Sequence, residues 1–157
     1  MSMSNTIIEP RVGAGPLRLG MTRDEAWSTT RGVITSFFPQ GWSTERMDDF
    51  RDFAIHAEYD AGVIVRLVAF TSNRPYVNRS ALSLFEQELG PEAGWDDVVA
   101  LLELQALAYV TGDERVDVPE LGLTFGFMER VEDELRLEWI SVEVAGRGKP
   151  FTAGPQA

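Results

Sequence analysis

Residues 15–27, Gly-Pro-Leu-Arg-Leu-Gly-Met-Thr-Arg-Asp-Glu-Ala-Trp, commit this chain to a strand that runs directly into a helix. Leu17 and Leu19 flank Arg18 in the alternation of a short strand, and Gly20 and Met21 lead to Thr22, a residue suited to the helix N-cap. Glu25 follows three positions later, so Thr22 and Glu25 can each accept from the other's backbone N–H and satisfy donors that a first helical turn leaves orphaned. Asp24 and Glu25 also lie in that turn, where the helix dipole favours negative charge. A helix is expected over 24–30, with Ala26 and Trp27 available for packing and Gly32 as its stop.

Further along, the period changes from helix to strand. Phe53, Ile55, Ala57 and Tyr59 share one face of an expected strand, and His56 and Glu58 share the other. Asp60, Ala61 and Gly62 form the turn of a hairpin whose return strand is 63–71, with Val63, Val65, Leu67 and Ala69 on the apolar face and Arg66 opposite. Before the hairpin, 36–42 reads as a loop with large aromatics (Phe37, Phe38, Trp42), because Pro39 and Gly41 punctuate it. The charged stretch 46–52 reads as a loop or a single helical turn.

The second half repeats the order. A strand is expected over 80–85 and a helix over 95–105, where Trp95, Val98, Val99, Leu101 and Leu102 fall at helical spacing behind Asp96 and Asp97. A second hairpin pairs 121–127, with Leu121, Leu123, Phe125 and Phe127 on one face, with 135–144 across an acidic turn at 131–134. The alternation breaks near Trp139 and Ile140, the signature of a bulge. Gly146, Gly148, Pro150, Gly154 and Pro155 predict a flexible tail over 147–157.

These elements predict an α+β fold. It comprises two fused strand–helix–strand–strand halves, about 12–76 and 77–146, in one compact domain with helices on one face of an antiparallel sheet. The apolar rows should face the helices. The opposite face should be open and carry His56, Glu58, Arg66, Thr124, Arg136 and Glu138.

The joint Leu19-Gly20-Met21-Thr22-Arg23-Asp24-Glu25-Ala26 resembles the repeat opening of the β-lactamase-inhibitor-protein fold, shared by the small lipoprotein of the outer-membrane assembly machine. Pro119-Glu120-Leu121-Gly122-Leu123 resembles a segment ahead of the second hairpin in two-repeat, immunity-like bacterial proteins. The second half lacks Gly-Met-Thr, and the inhibitor's disulfides and secretion signal have no counterpart, so β-lactamase inhibition is not carried over. What the resemblance implies is a mode: an open sheet face that grips a partner.

Charge and composition narrow the function. The net charge is −11 and there is no cysteine, which excludes disulfides, thiolate metal sites and cysteine nucleophiles. Residues 1–80 balance nine acids with nine arginines, whereas 81–157 hold sixteen acids against four arginines and Lys149. Such asymmetry either steers a basic partner or keeps the chain soluble. It argues against nucleic acid, which requires a basic surface. No signal peptide or membrane span is read, so a cytoplasmic location is expected.

Catalytic signals are sparse. His56 beside Glu58 is a conceivable general base, or a solvated surface histidine. Asp48, Asp49 and Asp52, like Glu132, Asp133 and Glu134, lack the spacing of a calcium loop and read as solvated turns. No catalytic residues, metal or cofactor are expected. The reading is a non-enzymatic protein-binding module, immunity-like or inhibitor-like, for a basic partner, acting as monomer or homodimer. Its contact residues are His56, Glu58, Arg66, Thr124, Arg136, Glu138, Phe37 and Trp42. The rival is a small-molecule binder or enzyme with a pocket near His56 and Trp42.

Overall fold

The computed structural model describes residues 6–37, 47–73, 81–129 and 134–145. Its first half runs β1 (Thr6–Glu9), β2 (Gly13–Ala14), β3 (Leu17–Arg18), α1 (Arg23–Thr30), β4 (Ile34–Phe37), β5 (Met47–Phe50), β6 (Ile55–Asp60) and β7 (Val63–Phe70). The second runs β8 (Leu82–Leu84), β9 (Gln87–Leu89), α2 (Trp95–Leu104), β10 (Val110–Thr111), β11 (Arg115–Val118), a 3₁₀ turn at Pro119–Leu121, β12 (Leu123–Glu129) and β13 (Leu135–Glu143). The fold is α+β.

The joint forms as its residues dictate. Glu25 N–H donates to Thr22 Oγ1 at 3.2 Å and Thr22 N–H donates to Glu25 Oε1 at 2.9 Å, with Thr22 extended. The stop comes one residue earlier than expected: Arg31, not Gly32, takes the left-handed conformation at φ 54° and sends its N–H to the Trp27 carbonyl. Gly32 has another use. Its bare α-carbon lies against the Asp52 carboxylate, in space a β-carbon would need.

Among the described residues, one antiparallel sheet has the order β10-β11-β12-β13-β7-β6-β5-β4, and a second has the order β3-β2-β1-β8-β9. The two are built around one core. Ile55, Ala57, Leu67, Ala69, Leu123, Phe125, Phe127, Ile140 and Val142 of the large sheet join Ala26 of α1, Val98 and Leu102 of α2, and Ile8, Leu17 and Leu82 of the small sheet in a single buried cluster. Each fully buried Phe or Leu in it is worth about 1.5–3 kcal/mol. Both helices therefore pack on one face of the large sheet.

Two bulges set which residues reach that core. The turn Ala61–Gly62 has φ 54° and 84°, the geometry of a two-residue hairpin. Beyond it the register shifts between Glu58 and Tyr59, so Ile64 enters the core in place of Val63 and Val65. That corrects the expected row, because one extra residue inverts the alternation. On β13 the shift falls opposite Gly126 and Phe127, where Trp139 pairs with Gly126 and Leu137 with Phe127. This keeps Leu137 and Ile140 on the same buried side despite their odd spacing.

Several expected loops are strands. Among the described residues, each helix is followed by four strands of the large sheet, not two. Ser36 and Phe37 belong to β4, and 47–50 forms β5 instead of a loop or helical turn. Asp117 is buried in β11. β4 and β5 are short and carry polar residues on both faces, which hides them from a period-two search. Residues 131–133 of the expected acidic turn 131–134, the tail 147–157 and residues Phe38 and Trp42 lie outside the described residues.

Candidate functional site

The face of the large sheet turned away from the helices is built by register. Antiparallel pairing aligns His56 with Val68, Val68 with Ser141, Ser141 with Thr124 and Thr124 with Asp117, one row crossing five strands. His56 lies between two rings, with centroids 5.2 Å from Phe37 and 4.8 Å from Phe70, both edge-on. Its Nε2 is 3.6 Å from Asp49 Oδ1. Arg66 Nε lies 3.4 Å from Glu58 Oε1. Phe37, His56, Glu58 and Arg66 therefore form one patch on β4 to β7.

The other expected contact residues stand apart from it. Thr124 is three strands from His56, about 14 Å at ordinary strand spacing. It is buried and donates its hydroxyl to Asp117 Oδ1 at 2.9 Å. Arg136 pairs across to Met128 at the far end of β13 and donates to Glu134 Oε1 at 2.6 Å. Glu138 is the bulged residue, and its carbonyl accepts from Thr71 N–H at 2.8 Å. Trp139 covers Gly126 closely enough that a β-carbon there would lie inside the indole. Much of this face is thus occupied by the chain's own contacts: Arg66, Val68, Phe70, Thr124 and Ser141 are all buried.

The aspartates read as a solvated turn prove to face opposite ways. Asp49 stays beside His56, while Asp48, at 0% exposure, points to the helix side. Its carboxylate accepts from Ser36 Oγ at 2.6 Å, Tyr59 Oη at 2.8 Å, Trp27 Nε1 at 2.8 Å and Arg23 Nε at 3.1 Å. Burial alone would raise its pKa, but the bonds from Ser36, Trp27 and Tyr59, with the Arg23 charge, hold it below the ordinary carboxylate range. Burial, and then this carboxylate, push the Tyr59 phenol well above its ordinary value. Arg23 also stacks over the Tyr59 ring at 4.6 Å. Fully buried and accepting from four donors, Asp48 is a tie between α1 and the sheet and offers nothing to a substrate.

A groove of about 380 Å³ lies on the other side of the molecule, between β9 and α2. It is lined by the apolar Leu89, Ala100, Leu101 and Leu104 and by the carboxylates of Glu88, Glu92 and Asp97. It sits inside the most one-sided stretch of the sequence. Residues 80–114 contain Glu86, Glu88, Glu92, Asp96, Asp97, Glu103, Asp113 and Glu114, and no lysine or arginine. Counting charge by halves conceals this run. Tyr109 Oη donates to Glu103 Oε2 at 2.8 Å, and that bond raises the phenol's pKa.

Among the described residues, no group of three His, Asp or Glu side chains converges as a metal site, and no helix is long and apolar enough to cross a membrane. Neither a family model, nor a curated protein, nor a solved structure matches this chain.

Proposed function

We propose that this protein is a non-enzymatic binding module, immunity-like or inhibitor-like, whose partner is a basic protein. The observation that carries this reading is the run 80–114, eight acids without one compensating base, spread over β9, α2 and the turn before β11. Acids at that density, with no lysine or arginine among them, attract a cationic surface over about a Debye length and speed its encounter. The sheet order supports two similar halves as the framework. The runs β4 to β7 and β10 to β13, each following a helix, meet in mirrored order at β7 and β13.

A pull-down from the source organism's lysate at low and at high ionic strength tests the reading. Retention of a basic protein that salt removes supports it, and retention of no protein at low ionic strength overturns it. A second reading, a small-molecule site, is favoured by one observation: the aromatic slot of Phe37 and Phe70 around His56. A metabolite-library thermal-shift screen decides it, since a true ligand raises the melting temperature in proportion to the logarithm of its concentration.

A further inference from the structure

We propose that the groove between β9 and α2 seats the partner, and that it takes an extended basic segment in which Arg or Lys neighbours an apolar residue. This rests on the reading of a basic protein partner. Asp97, Ala100, Leu101 and Leu104 recur at i, i+3, i+4 and i+7, so they line one face of α2. The core takes a different strip of the helix, Val98, Leu101 and Leu102. Leu101 belongs to both strips, and Leu104 is left 75% exposed.

A lone exposed leucine is ordinary. Leu104 at the mouth of a groove backed by Leu89 and Leu101 is a seat for a side chain. Glu92 folds its carboxylate over Gly90, within 3.0 Å of where a β-carbon would stand, and so keeps its charge beside the groove. Asp97 spends one oxygen on the Gly94 N–H at 2.8 Å and keeps the other. An Arg or Lys stem can lie on the leucines while its charged end meets these carboxylates. A purely apolar occupant would strip water from Glu92 and Asp97 without replacing it, and an acidic one would be repelled. The groove volume is near the lower end of ligand sites, roughly 300–1,000 Å³, and suits one or two side chains better than a cofactor.

The test uses the full chain and three labelled peptides read by fluorescence anisotropy: three repeats of Arg-Leu-Gly, of Arg-Ser-Gly and of Glu-Leu-Gly. Arg-Leu-Gly should bind about tenfold tighter than Arg-Ser-Gly, and Glu-Leu-Gly should not bind. Ala100→Arg places a guanidinium in the groove from an exposed helical position and should weaken Arg-Leu-Gly by about tenfold or more. Thr111→Arg makes the same charge change on exposed β10 and should cost less than about threefold. Leu104→Ser should weaken Arg-Leu-Gly and leave Arg-Ser-Gly unchanged. If both arginine peptides bind alike, and both arginine variants weaken them equally, the groove is overturned while the basic-partner reading survives. If neither arginine peptide shows salt-dependent binding, both readings fall.

Discussion

Replacing Asp48 with Asn should cost far more than replacing its neighbour Asp49, although the two are identical in sequence terms. Asp48 is fully buried and accepts four hydrogen bonds. Arg23 and Trp27 are partly exposed and can turn to water when the carboxylate goes, so their loss is small. Tyr59 is buried and Ser36 half-buried, and each hydroxyl left without its charged acceptor costs about 1–3 kcal/mol. Asn restores part of this through its carbonyl but adds two donors among donors. The sum is about 3–5 kcal/mol, in the range for breaking a buried charged network. For a chain of this size that is a fall of roughly 6–20 °C in melting temperature. Asp49→Asn alters a partly exposed carboxylate 3.6 Å from His56 Nε2 and should cost under about 1 kcal/mol. Denaturant unfolding of both variants, followed by tryptophan fluorescence, gives the comparison. Equal losses would refute the claim that Asp48 is what ties α1 to the sheet.

The same carboxylate predicts an acid limb. Its pKa is depressed in the folded state, so its contribution is full above the unfolded value of about 4 and is lost as pH falls through the folded value. Wild-type stability should therefore drop on acidification below about pH 4, and the Asp48→Asn curve should be flatter there; parallel curves from pH 2 to pH 6 would contradict this. Gly126→Ala should destabilise by about 1–3 kcal/mol because the new methyl displaces Trp139. Trp139→Ala in the same chain should recover part of that loss, and strict additivity would show that the two do not compete. Arg31→Gly should stabilise by about 0.5–1 kcal/mol, since it relieves a left-handed arginine at the end of α1; a lower melting temperature would argue that the bond from Arg31 Nε to the Ser28 carbonyl matters more.

Where the chain follows a single period, its sequence discloses its structure. The capping box at Thr22 and Glu25, the hairpin around Gly62 and the helix beginning at Trp95 all form because local chemistry and burial agree there. Residues 47–50 defeat the same reasoning. Two adjacent aspartates look solvated unless Ser36, Trp27, Tyr59 and Arg23 are known to converge on one of them, and that convergence is tertiary. Val65 fails for a related reason, because a bulge moves the alternation by one and leaves no composition signal. That His56 and Thr124 share a face of the sheet was legible from alternation, but not the crowding there, since Thr124 bonds to Asp117 on the neighbouring β11. The groove did leave a trace in the helical spacing of Asp97, Ala100, Leu101 and Leu104 and in the run 80–114 without a base. Only the placement of β9 beside α2 turns that trace into a cavity.

The central claim is that a basic segment meets the protein at β9 and α2, and amide chemical-shift mapping addresses it most directly. Titrating isotopically labelled full chain with the Arg-Leu-Gly peptide at low ionic strength should shift amides across 87–104, strongest around Glu92, Asp97 and Leu104. Addition of salt should reverse those shifts. Shifts centred on Phe37, His56, Phe70 and Trp139, with 87–104 unmoved, would place the contact on the opposite face and contradict the account.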